Sequence, residues 1–348
     1  MSALVVRAAG PLSTLQDRGR FGYQRFGVSP AGAFDPLYLA AANALVGNPP
    51  DTAAVEFTLA GDSLQVEADS VRLAVAGDFA VAIDGKPAAA WRSHRLLRGQ
   101  TIAIGPAARG ARGYLAVERG FAVAPVLGSV STHVRTRMGG LDGGPLKAGD
   151  ALPLALPQAP DRPERRLDPG ALPRRDGTIR VVPGPQDDHF SDAGRATFFA
   201  SEYVVTAEAD RMGIRLSGPQ VEHARGYNIV SDGIVTGAVQ VPGSGLPIVL
   251  LVDRQTAGGY PKIAVAIAPD IAAMAQLRPG DRLRFRAIGA DEAVREHRAF
   301  RDAIAGLPGL LRPIVDPAAL DSGALLALNL IGGVVDGTAP DPGMDGET

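Results

Sequence analysis

Alternation of apolar and polar positions runs through the chain in short stretches, which predicts strands more often than helices. Asp281–Arg286 alternates strictly: Leu283 and Phe285 fall on one face, Arg282, Arg284 and Arg286 on the other, as in a half-buried strand. Val71–Val75 and Phe79–Ile83 read as neighbouring strands, with Asp84-Gly85 turning the chain after them. Pro247–Val252 is apolar on both faces and is expected in the middle of a sheet. Helical spacing is rarer. Between Pro36 and Val46, Asp35 is a capping residue, Pro36 fits the first helical position and Gly47 the left-handed exit, while Leu37, Ala41, Ala44 and Leu45 share a face. Short helices are expected after Ser191 and from Asp270 to Leu277. A longer one is expected from Asp291 to Leu307, with Ala293, Phe300, Ile304 and Leu307 on one side.

These elements divide the chain. Residues 1–156 form a β-rich domain. Residues 157–178, charged and Pro-rich at Asp161–Arg166 and Pro173–Gly177, are expected as a linker, with a long ordered surface loop as the alternative. A second β domain covers 179–290. A helix and an apolar segment cover 291–336, and 337–348, rich in Asp, Gly and Pro, are expected as a disordered tail. Leu146–Leu152 and Leu277–Leu283 echo each other, each with Gly-Asp directly before an apolar-led strand. The echo is consistent with two similar halves or with chance.

Composition narrows the function. Of 348 residues 46% are hydrophobic, enough for a sizeable core, whereas 43 Gly and 28 Pro favour many tight turns. A net charge of −2 with scattered basic residues lacks the footprint of a nucleic-acid binder. With no Cys there are no disulfides, thiolate nucleophiles or Cys-based metal sites. Arg7 interrupts the N-terminal apolar run too early for a secretory segment, and Ala324–Val335 is too short to span a bilayer. A cytoplasmic protein is the expectation.

Four segments carry a resemblance. They are Ser13–Tyr23, continued by Gly32–Asp35 and Ala42–Asn48; Asp210–Pro219; Gly237–Pro242 followed by Asp253–Ala264; and Asn329–Asp336. In order and spread across nearly the whole chain, they resemble the allophanate hydrolase subunit 2, or biotin-dependent carboxyltransferase, family. The resemblance implies a mainly β fold with a few short helices and two β-barrel-like, cyclophilin-like domains. It implies a subunit 1 partner, resembling the B component of 5-oxoprolinase, together with a protein like that enzyme's A component. An active cleft is expected between this chain and subunit 1. Members act in ATP-dependent 5-oxoproline hydrolysis or in carboxyl transfer within urea carboxylase, and one antagonises a kinase inhibitor. ATP is therefore expected in the complex at a site the sequence does not place. Biotin enters only under the carboxyl-transfer reading, carried on another protein.

Several residues suit such chemistry. Gln16 can read a small amide through both ends of its own amide, and Asp17 can orient a substrate nitrogen; the plainer alternative is an Asp bonding backbone in a turn. Arg211 and Arg215, four apart, emerge on one side of an extended stretch and suit a carboxylate, with an internal ion pair to Asp210 or Asp253 as the alternative. Asp253, Arg254, Gln255 and Thr256 follow an apolar strand, and Gly258-Gly259 lets backbone approach a ligand. Tyr260 and Lys262 share a face. Lys262 is a base if desolvated and an oxyanion stabiliser if charged; the alternative is a solvated loop lysine. Asp253, Tyr260 and Lys262 are the catalytic candidates; Gln16, Asp17, Arg211, Arg215, Gln255 and Thr256 are the substrate-binding ones. His94, His133, His189, His223 and His297 show no ligand spacing, so no metal is expected, and each reads as a surface or packed residue. Neither a nucleophile elbow nor a phosphate-binding Gly-rich loop is present.

The leading expectation is one subunit of an ATP-dependent enzyme that opens the lactam of 5-oxoproline to give glutamate. The alternatives are biotin-dependent carboxyl transfer to urea or a similar amide, and a non-catalytic module that regulates subunit 1.

Overall fold

Short alternating runs build two antiparallel sheets in the first half of the chain. The computed structural model describes residues 2–173 and 177–314. One sheet has six strands in the order Ala151–Pro153, Ala3–Ala8, Ser63–Val66, Thr101–Ala107, Phe79–Ile83 and Lys86–Ala88. The other has five, in the order Ser13–Gln16, Ala54–Thr58, Arg112–Val117, Ser70–Ala76 and Ser93–Leu97. The two wrap a single core that includes Leu4, Leu15, Phe57, Leu73, Ile102 and Leu115. Ser70–Ala76 and Phe79–Ile83, expected as neighbours, fall in different sheets. The chain turns the corner at Gly77 (φ 131°), where a Cβ would lie 2.9 Å from the Phe79 ring and 3.1 Å from the Gly113 Cα. The Asp84-Gly85 turn is as expected: both residues are left-handed (φ 49° and 76°) and Ile83 pairs with Lys86, the two-residue hairpin that strand twist favours.

Helix α1, Pro36–Val46, has the anticipated bounds. The Asp35 side chain accepts from the Tyr38 N–H, and Gly47 leaves at φ 81°. Its burial differs from the amphipathic expectation. Leu39, Ala40, Ala42 and Val46 are buried together with Leu37, Ala41, Ala44 and Leu45. The helix packs against Ala74, Ala76, Tyr114 and Ala116 of the sheet and also meets Leu307 of the C-terminal helix, so beyond the exposed Pro36 and half-buried Tyr38 its residues are buried.

The second half closes a seven-stranded barrel. Its order is Thr178–Pro183, Lys262–Ala266, Ala238–Gln240, Ile248–Leu250, Gly213–Ser217, Glu202–Val205 and Arg282–Ala287, which returns to Thr178–Pro183 as a parallel pair. Leu283 and Phe285 point into the core with the three arginines outside, as their alternation requires. Three helices decorate it: α2 (Asp192–Ala200, capped by Ser191), α3 (Ala268–Met274) and α4 (Ala290–Leu310). The mainly β architecture with a few helices is thus as the sequence implies. Among the described residues no helix is long and apolar enough to cross a membrane.

Residues 157–173 join the halves as a pinned strap. Arg72, wholly buried in the first half, donates to the Pro160 and Arg162 carbonyls and pairs with Glu164, and Ala159, Leu167 and Leu172 are buried. The echoed segments adopt the same turn. Gly149 and Gly280 have φ 94° and 92°, and the Lys147 and Arg278 N–H groups each donate to the carboxylate three residues on, Asp150 and Asp281, at 2.8 Å. Arg174–Asp176, the closing Asn329–Asp336 segment and the expected tail 337–348 lie outside the described residues.

The halves are stitched together by side chains. Arg278 reaches the Ala107 and Gly110 carbonyls. The Gln276 amide joins the Ala111 and Arg112 N–H groups to the Asp35 carboxylate. Arg112 donates to the Ala275 carbonyl and lies 4.3 Å from the Phe34 ring centroid.

Candidate functional site

The apolar strand Ile248–Leu250 ends at Leu251, and the chain then turns through Asp253 on its way back to the barrel strand Lys262–Ala266. Along this turn the sequence candidates separate into two layers.

The inner layer is a buried network at the junction of the halves. Arg211 grips Asp253 with two prongs and also donates to Glu56 and to the Gly32 carbonyl. Glu56 in turn accepts from the Tyr114 hydroxyl at 2.6 Å and the Phe34 N–H at 2.9 Å. Burial alone would raise the Glu56 pKa. Arg211 and then Arg112 outweigh that and hold it below the usual carboxylate value. Burial likewise works against the Arg211 charge, yet Asp253 and Glu56 together push its pKa up. Gln16 is fully buried, its amide nitrogen on the Thr14 hydroxyl and the Thr132 carbonyl. Asp17 accepts from Gly19 N–H (2.7 Å), the Ser129 and Ser131 hydroxyls and Val130 N–H (2.9 Å), which ties the strand's exit to the loop 129–131. His133 lies 3.3 Å from the Asp253 carbonyl, so this loop reaches the Asp253 turn from below.

This layer corrects the expected roles of five residues. Arg211 is not presented to a substrate carboxylate, because it is buried and held by two internal carboxylates; the ion-pair alternative with Asp253 is what the structure contains. Arg215 does not join it. Asp210 accepts from the Met212 and Gly213 N–H groups and curls the segment, so the strand starts only at Gly213 and Arg215 emerges on the outer wall beside Glu208. Asp17 is committed to holding backbone, and Gln16 is buried with its amide nitrogen on the Thr132 carbonyl, its amide oxygen having no partner among the described residues. Asp253, expected to be catalytic, has both carboxylate oxygens on Arg211.

The outer layer holds the other candidates. Gln255 and Tyr260 are exposed and Thr256 is half-buried. Ala257-Gly258 pairs with Asp232-Gly233, forming a small two-stranded platform. A Cβ on Gly258 would lie 2.6 Å from Ile234 Cδ1 and 2.8 Å from Gln240 Nε2, so a side chain here would have to push those two side-chain ends aside. Lys262 is not a solvated loop lysine. Its side chain is 3% exposed, and Nζ donates to Asp232 Oδ2 at 2.9 Å. The bond to Lys262 is the leading cause of an Asp232 pKa below the usual range. Tyr260 and Lys262 do not share an environment, since one is exposed and the other buried. A cavity of about 590 Å³ lies elsewhere, bordered by Leu37, Thr178, Arg180, Asp270 and Phe300.

Reading the sequence missed Asp232, Glu56 and the role of Arg254. Asp232 precedes Gly233 in a polar turn whose pairing with Ala257-Gly258 no local pattern announces. Arg254 is 3% exposed and donates to the Ile234 carbonyl through Nε (3.2 Å) and Nη2 (3.0 Å), and through Nη2 to Gln24 Oε1 (3.0 Å). Lys262 and Arg254 therefore hold the two ends of one strip, Asp232–Ile234, and present a buried ammonium and guanidinium beneath it. Such a site suits anions and developing negative charge on oxygen.

Comparison with known proteins agrees with this reading of the fold. The family model described as "Carboxyltransferase domain, subdomain A and B" matches residues 26–287. The chain is 38% identical over 286 residues to the C component of 5-oxoprolinase from Haemophilus influenzae, covering 82% of this chain and 91% of that protein. It is 36% identical over 294 residues to the C component of 5-oxoprolinase from Escherichia coli, covering 84% and 93%. Among solved structures, the urea amidolyase of K. lactis superimposes with a TM-score of 0.82 at 29% identity over 88% of this chain, which spans only 20% of that one. The chain therefore belongs to the carboxyltransferase domain family, subdomains A and B, to which the Ser13–Tyr23, Asp210–Pro219 and Asp253–Ala264 segments had pointed.

Proposed function

We propose that this chain is one subunit of an ATP-dependent 5-oxoprolinase, working with a subunit 1 partner and an A-component-like protein to open the lactam and release glutamate. The observation that carries the reading is coverage: the chain matches more than nine-tenths of each 5-oxoprolinase C component, but a fifth of the urea amidolyase. Geometry supplies a mechanism. A lactam carbonyl resists water; transfer of the ATP γ-phosphoryl group to its oxygen, with ADP leaving, activates the carbon, water then adds there, the ring C–N bond breaks with a proton going to nitrogen, and phosphate is released. Lys262, whose Nζ donates to Asp232 Oδ2, stabilises the oxygen on which negative charge develops. A lysine paired to a carboxylate fits this role better than that of a base. Arg254 adds a second cation at the other end of the strip, and Gly258, with no side chain, lets its backbone lie close to Ile234 and Gln240. ATP is expected in the complex; no residue of this chain is assigned to it.

The test is to express the chain with its partner subunits and follow glutamate release from 5-oxoproline. Wild-type release that falls by ~10²–10³ in Lys262→Ala supports the reading, this being the range for loss of one oxyanion contact. Unchanged release in the variant removes Lys262 from the mechanism. Absence of ATP-dependent release in the wild-type complex removes the function.

A further inference from the structure

Among the described residues five arginines are buried: Arg20, Arg72, Arg112, Arg211 and Arg254. Arg72 has Glu118 and Glu164, Arg112 has Glu56, and Arg211 has Glu56 and Asp253. Among the described residues the Arg20 side chain donates only to the Val126 and Ser131 carbonyls and also keeps a buried Nη1 without a partner, but the charges of Asp17 and Asp253 offset part of its burial. Arg254 differs. Among the described residues no carboxylate pairs with it, its acceptors are one backbone carbonyl and one amide oxygen, and Nη1 has no hydrogen-bond partner although it is buried. Burial pushes its pKa down to about 10 with no opposing charge. A guanidinium taken out of water without an anion is costly, and a fold that keeps one has a use for its charge.

We propose that Arg254 is the anchor for the carboxylate of a small-molecule ligand, received end-on by Nη1 and Nη2 beside Gln24, Ile234 and the Thr256–Gly259 turn. This deepens the 5-oxoprolinase reading and rests on it for the ligand's identity: the carboxylate is that of 5-oxoproline, the part of the molecule the reaction leaves untouched. The two Nη atoms form the edge of the guanidinium that matches a carboxylate's two oxygens. At present Gln24 Oε1 takes one half of that edge and nothing takes the other among the described residues. Gln24 belongs to a half-buried surface turn flanked by exposed Arg25 and Phe26, and its own amide nitrogen is satisfied by the Ile234 carbonyl at 2.6 Å. It is thus a neutral placeholder that an arriving carboxylate displaces, exchanging one neutral bond for two charge-assisted ones. Lys262, at the far end of the Asp232–Ile234 strip, is then left for the lactam end of the same molecule. Arg211 and Arg215 have no part in this recognition.

The experiment is an NMR titration of the full chain labelled with ¹⁵N-arginine, reading the Nε–Hε resonance of Arg254, assigned by its loss in Arg254→Lys. L-5-Oxoproline is expected to shift that resonance saturably, while 2-pyrrolidinone, the same lactam without the carboxylate, leaves it in place. Gln24→Ala is expected to tighten 5-oxoproline binding several-fold by removing the placeholder, and it carries the test should Arg254→Lys not fold. No shift with 5-oxoproline, an equal shift with 2-pyrrolidinone, or weaker binding in Gln24→Ala overturns the proposal. A saturable shift at Arg254 without glutamate release by the assembled complex keeps the carboxylate site and removes the 5-oxoprolinase reading. Glutamate release at the wild-type KM by an Arg254→Lys complex does the reverse.

Discussion

Arg211 and Asp253 face each other as a two-pronged pair, Nε to Oδ2 at 2.9 Å and Nη2 to Oδ1 at 3.0 Å, both side chains buried. The same guanidinium crosses to Glu56 of the first half, so the turn that begins the outer site is fastened to the other half of the chain through one side chain.

Replacing Arg211 is therefore expected to be expensive. Arg211→Met leaves Glu56 and Asp253 as uncompensated buried carboxylates and should cost about 3–5 kcal/mol, the range for breaking one side of a buried pair. Urea unfolding of the purified chain measures it. A loss below about 1 kcal/mol contradicts the network's role. Arg254→Met removes a cation with no carboxylate and should cost much less in the same assay.

Acid should undo the same network. The folded-state pKa of Glu56 is depressed below its ordinary 4.5, so the stability it contributes is fully present above that value and is lost as pH falls through the lower, folded value. Titration of Glu56 should leave the thermal midpoint unchanged with pH near neutrality and lower it in the acid range below about pH 4.5. Glu56→Gln should flatten that acid limb in a pH series of melting curves while lowering the plateau.

Asp232 should matter more for turnover than for stability. Its side chain is half exposed but its partner Lys262 is buried, and Asn keeps an oxygen for the ammonium, so Asp232→Asn is expected to lower the melting curve only modestly. In the assembled complex the same change loosens the Lys262 ammonium from its fixed position and should lower kcat for glutamate release at least tenfold with little change in KM. An unaltered kcat would dissociate Asp232 from Lys262.

Gly184 supplies a steric test. A Cβ there would sit 2.0 Å from the Lys262 carbonyl oxygen and 2.8 Å from the Ala264 nitrogen, both backbone. Gly184→Ala must push the Lys262–Ala266 strand aside and should cost about 1–3 kcal/mol, as overpacking does. Gly280→Ala, with nothing near its Cβ but φ 92°, isolates the backbone cost for comparison.

What the sequence made legible was local. Asp35, Pro36 and Gly47 lie within one helix and its caps, and Asp84-Gly85 within one hairpin, so neighbouring residues alone decide those conformations. The Leu146 and Leu277 echo also proved physical, because Gly-Asp in that spacing closes one turn by itself. Long-range pairing was not legible. Arg211 finds Glu56 across 155 positions, and no pattern around either residue names the other. Extended geometry was assumed for 211–215, and a single Asp210 side chain, bonding Met212 and Gly213, was enough to turn two arginines apart. Lys262 and the Gly258-Gly259 pair were chosen for their chemistry, but the carboxylate that fixes Lys262 arrives from thirty residues upstream.

The barrel's one parallel contact, Thr178–Pro183 beside Arg282–Ala287, joins its earliest strand to its latest. A nascent chain leaving the ribosome must hold two open edges until the residues near Ala287 emerge, because no earlier segment shuts the cylinder. That interval is when stray strands from other polypeptides compete for the seam, and any truncation before Arg282 makes it permanent.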